Sequence, residues 1–125
     1  MKTDSPPRIL IADDEYLIRW SLEQALSQEG YETHTAENGK KAIEAVQSKP
    51  FDYIITDLFM PETDGWQVLE TACRSCPRPR VIVITGHGNE GTKKLARTRG
   101  AWAYVEKPYL IDQIKAILKN VLPQE

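Results

Sequence analysis

Four short, mostly apolar runs in this chain each stop at a residue able to do chemistry. Ile9-Leu10-Ile11-Ala12 runs into Asp13 and Asp14, and Tyr53-Ile54-Ile55-Thr56 into Asp57. Val81-Ile82-Val83-Ile84 runs into Thr85, and Ala103-Tyr104-Val105-Glu106 into Lys107. Runs of this length read as buried strands. The stretches between them carry apolar residues at helical spacing. Regular alternation of strand and helix leaves few options: a parallel sheet with helices on both faces. In such a sheet the carboxyl ends of neighbouring strands lie side by side, and working sites form beyond them. Three carboxylates, a hydroxyl and an ammonium then converge on one patch.

The intervening segments fit this plan. Tyr16 to Gln28 has a stripe of Ile18, Leu22, Ala25 and Leu26, with Gly30 as its stop. Tyr31 to Ala36 alternates, as a half-exposed strand near a sheet edge does. Asn38 is placed to cap a helix whose apolar face is Ala42, Ile43 and Val46, and Pro50 lies beyond its end. A loop from Leu58 to Gly65 leads to a helix bearing Val68, Leu69 and Ala72. Val81 to Ile84 is the most apolar run and is expected to be buried on both faces. The loop Gly86-His87-Gly88-Asn89-Glu90-Gly91 precedes a weakly apolar helix through Leu95 and Ala96, which Gly100 ends. Ala101 to Val105 forms the fifth strand, with Ala101, Ala103 and Val105 expected inward and Trp102 and Tyr104 outward. A last helix carries Ile111, Ile114, Ile117, Leu118 and Val121. Residues 1–7, rich in Pro and polar groups, read as a disordered lead-in, 8–122 as one domain and 123–125 as a tail.

Composition narrows the function. A chain of 125 residues that is 41% hydrophobic builds one core. Its net charge of −2 supplies no basic field for nucleic acid. It has neither an apolar stretch long enough to span a membrane nor an apolar signal core, so a cytoplasmic location is expected. Cys73 and Cys76 stand in a Cys-Arg-Ser-Cys spacing. A thioredoxin-like pair belongs after a first strand and opens a helix, whereas this one closes a helix before Pro77. A zinc site needs more ligands nearby. Both cysteines are therefore read as ordinary thiols.

The cluster at the strand ends carries the chemistry. Asp13, Asp14 and Asp57 form an oxygen-only donor set, suited to magnesium or manganese. A cation held by one or two carboxylates leaves positions open for a phosphoryl group. Lys107 would stabilise the same phosphoryl oxygens, and Thr85 would donate to another. A carboxylate not consumed by the metal can be a nucleophile. Asp57, alone on its strand with acids on the neighbour, is the best candidate. Nucleotide-binding readings of the architecture fail, because Asp13-Asp14-Glu15 stands where a glycine-rich phosphate loop would be needed. A magnesium-dependent phosphohydrolase is the rival. That class carries a second Asp two residues after its nucleophile, where this chain has Phe59, and a capping insertion, which this chain lacks.

From Arg8 to about Leu122 the chain resembles the receiver domains of two-component response regulators. The resemblance rests on Ile11-Ala12-Asp13-Asp14-Glu15, on Asp57 followed by Met60-Pro61 and Asp64-Gly65, on Thr85, and on Tyr104-Val105-Glu106-Lys107-Pro108. It implies a flavodoxin-like, doubly wound α/β fold with five strands in the order 2-1-3-4-5 and five helices. It implies that Asp57 accepts a phosphoryl group from a sensor histidine kinase, a phosphotransfer protein or a small acyl phosphate. Asp14, Asp57 and the Phe59 carbonyl would bind magnesium, with Asp13 acting through water. Lys107, Thr85 and the backbone N–H groups of Leu58, Phe59 and Gly86 would hold the phosphoryl oxygens. A cis Lys107–Pro108 bond would turn the lysine inward. Thr85 and Tyr104 would then move together and reshape the face of the fourth helix, fifth strand and fifth helix. That face, with Trp102 and Tyr104, would meet an output domain or protein, or a second copy in a phosphorylation-dependent homodimer. The family is one of signalling modules rather than metabolic enzymes. The segments Ile18-Arg19-Trp20-Ser21-Leu22 and Glu106-Lys107-Pro108 are similar to those of enhancer-dependent transcription regulators.

Overall fold

The computed structural model describes residues 5–60 and 64–119. The expected contributions of Pro61, Val121 and the 123–125 tail lie outside these residues, as do residues 1–4 of the lead-in. Of the rest of that segment, the Pro7 carbonyl accepts a hydrogen bond from Glu32 N at 2.9 Å.

Ten elements alternate along the chain: β1 (Arg8–Ala12), α1 (Tyr16–Gln28), β2 (Glu32–Ala36), α2 (Gly39–Ser48), β3 (Tyr53–Asp57), α3 (Gly65–Cys73), β4 (Arg80–Thr85), α4 (Glu90–Thr98), β5 (Ala103–Glu106) and α5 (Ile111–Leu118). The five strands are parallel in the order β2-β1-β3-β4-β5. The half-exposed strand is indeed at an edge. Central β4 is buried along Val81 to Ile84 on both faces.

Alternation along the strands divides the core in two. Leu10, Ile54, Val81 and Val83 face α2, α3 and α4 through Ala42, Val46, Val68, Leu69, Ala72 and Ala96. Ile9, Ile11, Ile55, Ile82, Ile84 and Val105 face α1 and α5 through Leu22, Leu26, Ile114, Ile117 and Leu118. Helix starts are fixed by side-chain caps: Asn38 accepts from Lys41 N at 2.8 Å, Asp64 from Gln67 N at 3.2 Å and Asn89 from Thr92 N at 2.9 Å. Gly30 (φ +97°) and Gly100 (φ +111°) turn the chain out of α1 and α4 through the left-handed region. No helix among the described residues is long and apolar enough to cross a membrane.

One expectation needs correction. Trp102 and Tyr104 do not share a face. The strand begins at Ala103, so the residues before it do not follow its alternation. Tyr104 and Ala101 pack on the α2–α3–α4 side, while Trp102 packs with Ala103 and Val105 on the α1–α5 side. There the Trp102 ring lies 6.2 Å from that of Tyr53, with the Arg80 guanidinium 4.8 Å above it. It is a half-buried packing residue at the amino end of the sheet. In the weakly apolar helix α4, Leu95 is exposed and Ala96 alone is buried.

Ile55 is fully buried between β1 and β4 and precedes Asp57 by two positions. Ile55→Ala should lower unfolding free energy by about 2–5 kcal/mol, read from the midpoint of a urea transition.

Candidate functional site

The register of the strands assembles the site. Ala12 of β1 pairs with Thr56 of β3, so Asp13 leaves β1 beside Asp57. Asp57 pairs with Ile84 of β4, and Thr85 with Glu106 of β5, so Thr85 and Lys107 follow at successive steps across the sheet. The Lys107–Pro108 bond is cis, as the resemblance implied. Lys107 N donates to the Thr85 carbonyl at 2.9 Å, and the side chain turns back over β3 and β1.

The Lys107 ammonium is the centre of the patch. Nζ lies 2.9 Å from Asp57 Oδ2, 2.9 Å from Asp13 Oδ2 and 3.0 Å from Glu15 Oε2. The contacts with Asp57 and Glu15 are hydrogen bonds. That with Asp13 is close but oblique, so buried Asp13 Oδ2 has no hydrogen-bond donor. The other Asp13 oxygen accepts from Glu15 N at 2.8 Å. Asp57 Oδ1 accepts from Phe59 N at 3.1 Å. Burial opposes the charge on Lys107, but the three carboxylates outweigh it and hold the ammonium well above the usual lysine range. Burial pushes the Asp13 carboxyl up, against the pull of the Glu15 amide and Lys107. Burial, with the Asp13 charge, also raises the neighbouring Tyr109 phenol to about 12.

One carboxylate oxygen from each of Asp13, Asp14, Glu15 and Asp57 lies within 4.8 Å of the others. Four acids face one ammonium. Excess negative charge, hard oxygen donors and the donorless Asp13 Oδ2 together fit a small divalent cation. Asp13, Asp14, Asp57 and Lys107 are thus brought together as the sequence suggested. Glu15, named only within a motif, joins them; no spacing rule singles it out, because its reach depends on the β5–α5 loop. Thr85 lies at the next strand end, fully buried, with Oγ1 accepting from His87 N at 3.1 Å. Leu58, Phe59 and Gly86 open the loops after β3 and β4. The Phe59 ring is exposed at the mouth and meets His87 edge-on, with centroids 5.9 Å apart.

Two glycines fit parts of the chain too close together for a side chain. A Cβ on Gly65 would lie 1.9 Å from the Asp57 carbonyl oxygen, so α3 starts hard against the strand bearing Asp57. A Cβ on Gly88 would lie 1.8 Å from the Tyr104 hydroxyl and 3.0 Å from Thr85 Cγ2. The Tyr104 hydroxyl is buried there without a hydrogen-bond partner. The inward Tyr104 ring therefore occupies a slot that exists because residue 88 is glycine.

Oxygen donors, a hydroxyl and a lysine thus gather at the carboxyl ends of a doubly wound sheet of order 2-1-3-4-5. The family profile described as response regulator receiver domain matches residues 9–119, and the chain belongs to that family. It is 34% identical over 116 residues to sporulation initiation phosphotransferase F of Bacillus subtilis, an alignment covering 93% of this chain and 94% of that protein. It is also 34% identical over 114 residues to the DNA-binding transcriptional regulator NtrC of Escherichia coli, covering 91% of this chain but 24% of the relative. The chain thus spans about a quarter of the length of that regulator. Among solved structures, a response regulator protein from Burkholderia pseudomallei with a phosphorylated aspartic acid, calcium ion and citrate superposes with a TM-score of 0.82. That match is at 27% identity and covers 88% of this chain and 65% of that one.

Two expected outcomes follow from the geometry. Asp13 pays for burial as an anion, so its folded-state carboxyl titrates above its unfolded value and favours the native state most when protonated. Without divalent cation, Asp13→Asn should stabilise the fold at neutral pH by roughly 1–3 kcal/mol. The gain should shrink as pH falls through the raised carboxylate range, as followed by thermal unfolding at a series of pH values. Gly88→Ala should displace Tyr104 from its slot, seen as a change in the Tyr104 ring proton shifts while strand amide shifts elsewhere stay in place.

Proposed function

We propose that this domain is a phosphoacceptor switch in a two-component system. A sensor histidine kinase, or a phosphotransfer protein, delivers a phosphoryl group to Asp57 in a magnesium-dependent step, with manganese as a substitute. The observation that carries the reading is the Asp57 carboxylate, buried at a central strand end, with one oxygen on Lys107 and acids of β1 beside it.

In this reading an Asp57 oxygen attacks phosphorus and the P–N bond of the donor phosphohistidine breaks. The bonding electron pair leaves with the imidazole nitrogen. The metal, held by Asp13, Asp14, Asp57 and the Phe59 carbonyl, supplies neutralising charge when bound. Lys107 stays charged throughout and moves from the carboxylate to a phosphoryl oxygen. The Thr85 hydroxyl turns from the His87 amide to donate to a second oxygen, and the N–H groups of Leu58, Phe59 and Gly86 serve the rest. Water later attacks phosphorus, the P–O bond to the Asp57 oxygen breaks, and phosphate leaves as the Asp57 carboxylate is regenerated. The Phe59 ring, braced by His87, shields that approach and lengthens the life of the phosphorylated state. The domain thus catalyses its own phosphorylation and dephosphorylation as part of signalling.

The approach of the donor is supported by the surface beside the site. Tyr16, Leu17 and Trp20 are exposed on α1 and Leu110 before α5. A groove of about 520 Å³ beside the site is lined by Glu15, Ile18, Lys107, Pro108, Tyr109 and Ile111. An apolar surface of this kind next to the acceptor suits a kinase helix. On the output side, Thr85, Tyr104 and Pro108 form the switch. Withdrawal of Thr85 toward the phosphoryl group bears on the Tyr104 ring, which shares the Gly88 slot, and through it on α4 and β5. That biases a two-state surface toward its output domain, protein partner or second copy. A cytoplasmic place of action goes with these partners.

Incubation with a small acyl phosphate and magnesium should add one phosphoryl group to the intact mass, labile to base. Asp57→Asn should abolish the gain. Undiminished labelling of that variant would sink the assignment.

A further inference from the structure

An ammonium has three hydrogens to donate. Those of Lys107 face three carboxylates: Asp13 at 2.9 Å, Asp57 at 2.9 Å and Glu15 at 3.0 Å. Two of these contacts, with Asp57 and Glu15, are hydrogen bonds, and the third, with Asp13 Oδ2, is an ion pair without hydrogen-bond geometry. The three partners of the lysine are not equivalent. The side chains of Asp13 and Asp57 are 0% and 4% exposed, whereas that of Glu15 is 60% exposed. A second observation marks the same cluster as waiting for a ligand. Asp13 Oδ2, wholly buried and aimed at the lysine, has no hydrogen-bond donor.

A phosphoryl group on Asp57 would bring new anionic oxygens to Lys107. Beyond the Asp57 contact that they replace, these oxygens compete with Asp13 and Glu15 for the ammonium. Drawing it from Asp13 would take the cation away from a buried carboxylate one of whose oxygens already lacks a donor, which is costly. Releasing Glu15 moves an exposed, flexible carboxylate into water, where its solvation replaces the ion pair almost in full. Glu15 is also the residue that precedes α1, and its bond to Lys107 ties the β1–α1 loop to the β5–α5 loop across 92 positions of sequence.

We propose that Glu15 is a positioning residue of the phosphoacceptor site: it parks Lys107 before phosphorylation and surrenders it to the phosphoryl oxygens afterwards. The proposal rests on the phosphoacceptor reading above. It assigns Glu15 a task separate from holding metal. Its carboxylate competes with the incoming anion for the lysine, and its release unties the two loops.

The test uses the chain with a small acyl phosphate and magnesium, in three forms: wild type, Glu15→Gln and Glu44→Gln. The last removes the same charge from α2, on the other face of the sheet, and controls for net charge. Glu15→Gln should lower the half-saturating concentration of acyl phosphate about two- to five-fold at low salt, with the limiting rate little changed. The difference should fade at high ionic strength, and Glu44→Gln should do neither. In the wild type, the side-chain carboxyl carbon resonance of Glu15 should move on phosphorylation toward that of a solvent-exposed glutamate. If the wild type takes up no phosphoryl group, the phosphoacceptor reading itself fails. If it does, but Glu15→Gln matches Glu44→Gln or the Glu15 resonance stays put, Glu15 does not hold the lysine in reserve and the proposal is overturned.

Discussion

One ammonium holds the carboxyl ends of three parallel strands together. Lys107 reaches from the end of β5 across β4 to acids on β3 and β1. Without it, buried Asp13 and Asp57 would face each other with no cation between them. Parallel pairing makes this arrangement available, because all strand ends lie at one edge of the sheet. The same pairing makes the charge problem unavoidable. Four acids share the site with one lysine, an electrostatic imbalance of the kind a divalent cation would relieve. Stability and ligand affinity are linked there through the same side chains.

Around this centre, backbone spacing is set by what is missing. Gly65 lets α3 begin against the Asp57 carbonyl, and Gly88 leaves room for a tyrosine ring behind Thr85. The first contact fixes the strand end that bears Asp57. The second places Gly88 between Thr85 and the Tyr104 hydroxyl, next to the α4–β5 surface. Tight packing of this kind transmits a displacement because it has no slack to absorb it.

Much of this was legible in the sequence. Strand ends were marked by abrupt changes from apolar to charged residues. One helix start was marked by Asn38, and helix ends by Gly30 and Gly100. The edge position of β2 followed from its alternation. What escaped was anything decided by contact between distant segments. Glu15 meets Lys107 across most of the chain, and nothing in Asp13-Asp14-Glu15 says which acid bends that way. Gly65 and Gly88 look like ordinary loop glycines until the neighbouring backbone and ring are in place. Trp102 was assigned to the wrong face because the period-2 rule was applied one residue before the strand begins. The weakly apolar pattern through Leu95 and Ala96 did not say which of the two is buried; α4 rests on the sheet by its one buried alanine.

That thin footing of α4 has a thermodynamic consequence. A helix of nine residues cannot persist on propensity alone. Its order comes from the Asn89 cap at one end, Gly100 at the other and a single buried methyl group between. Its free energy of detachment is therefore a small part of the global unfolding free energy, and its amides should exchange with solvent through local opening rather than whole-domain unfolding. An element poised so lightly can be repositioned by an event worth only a few hydrogen bonds. The deeply packed β3 and β4, which present Asp57 and Thr85, have no such freedom.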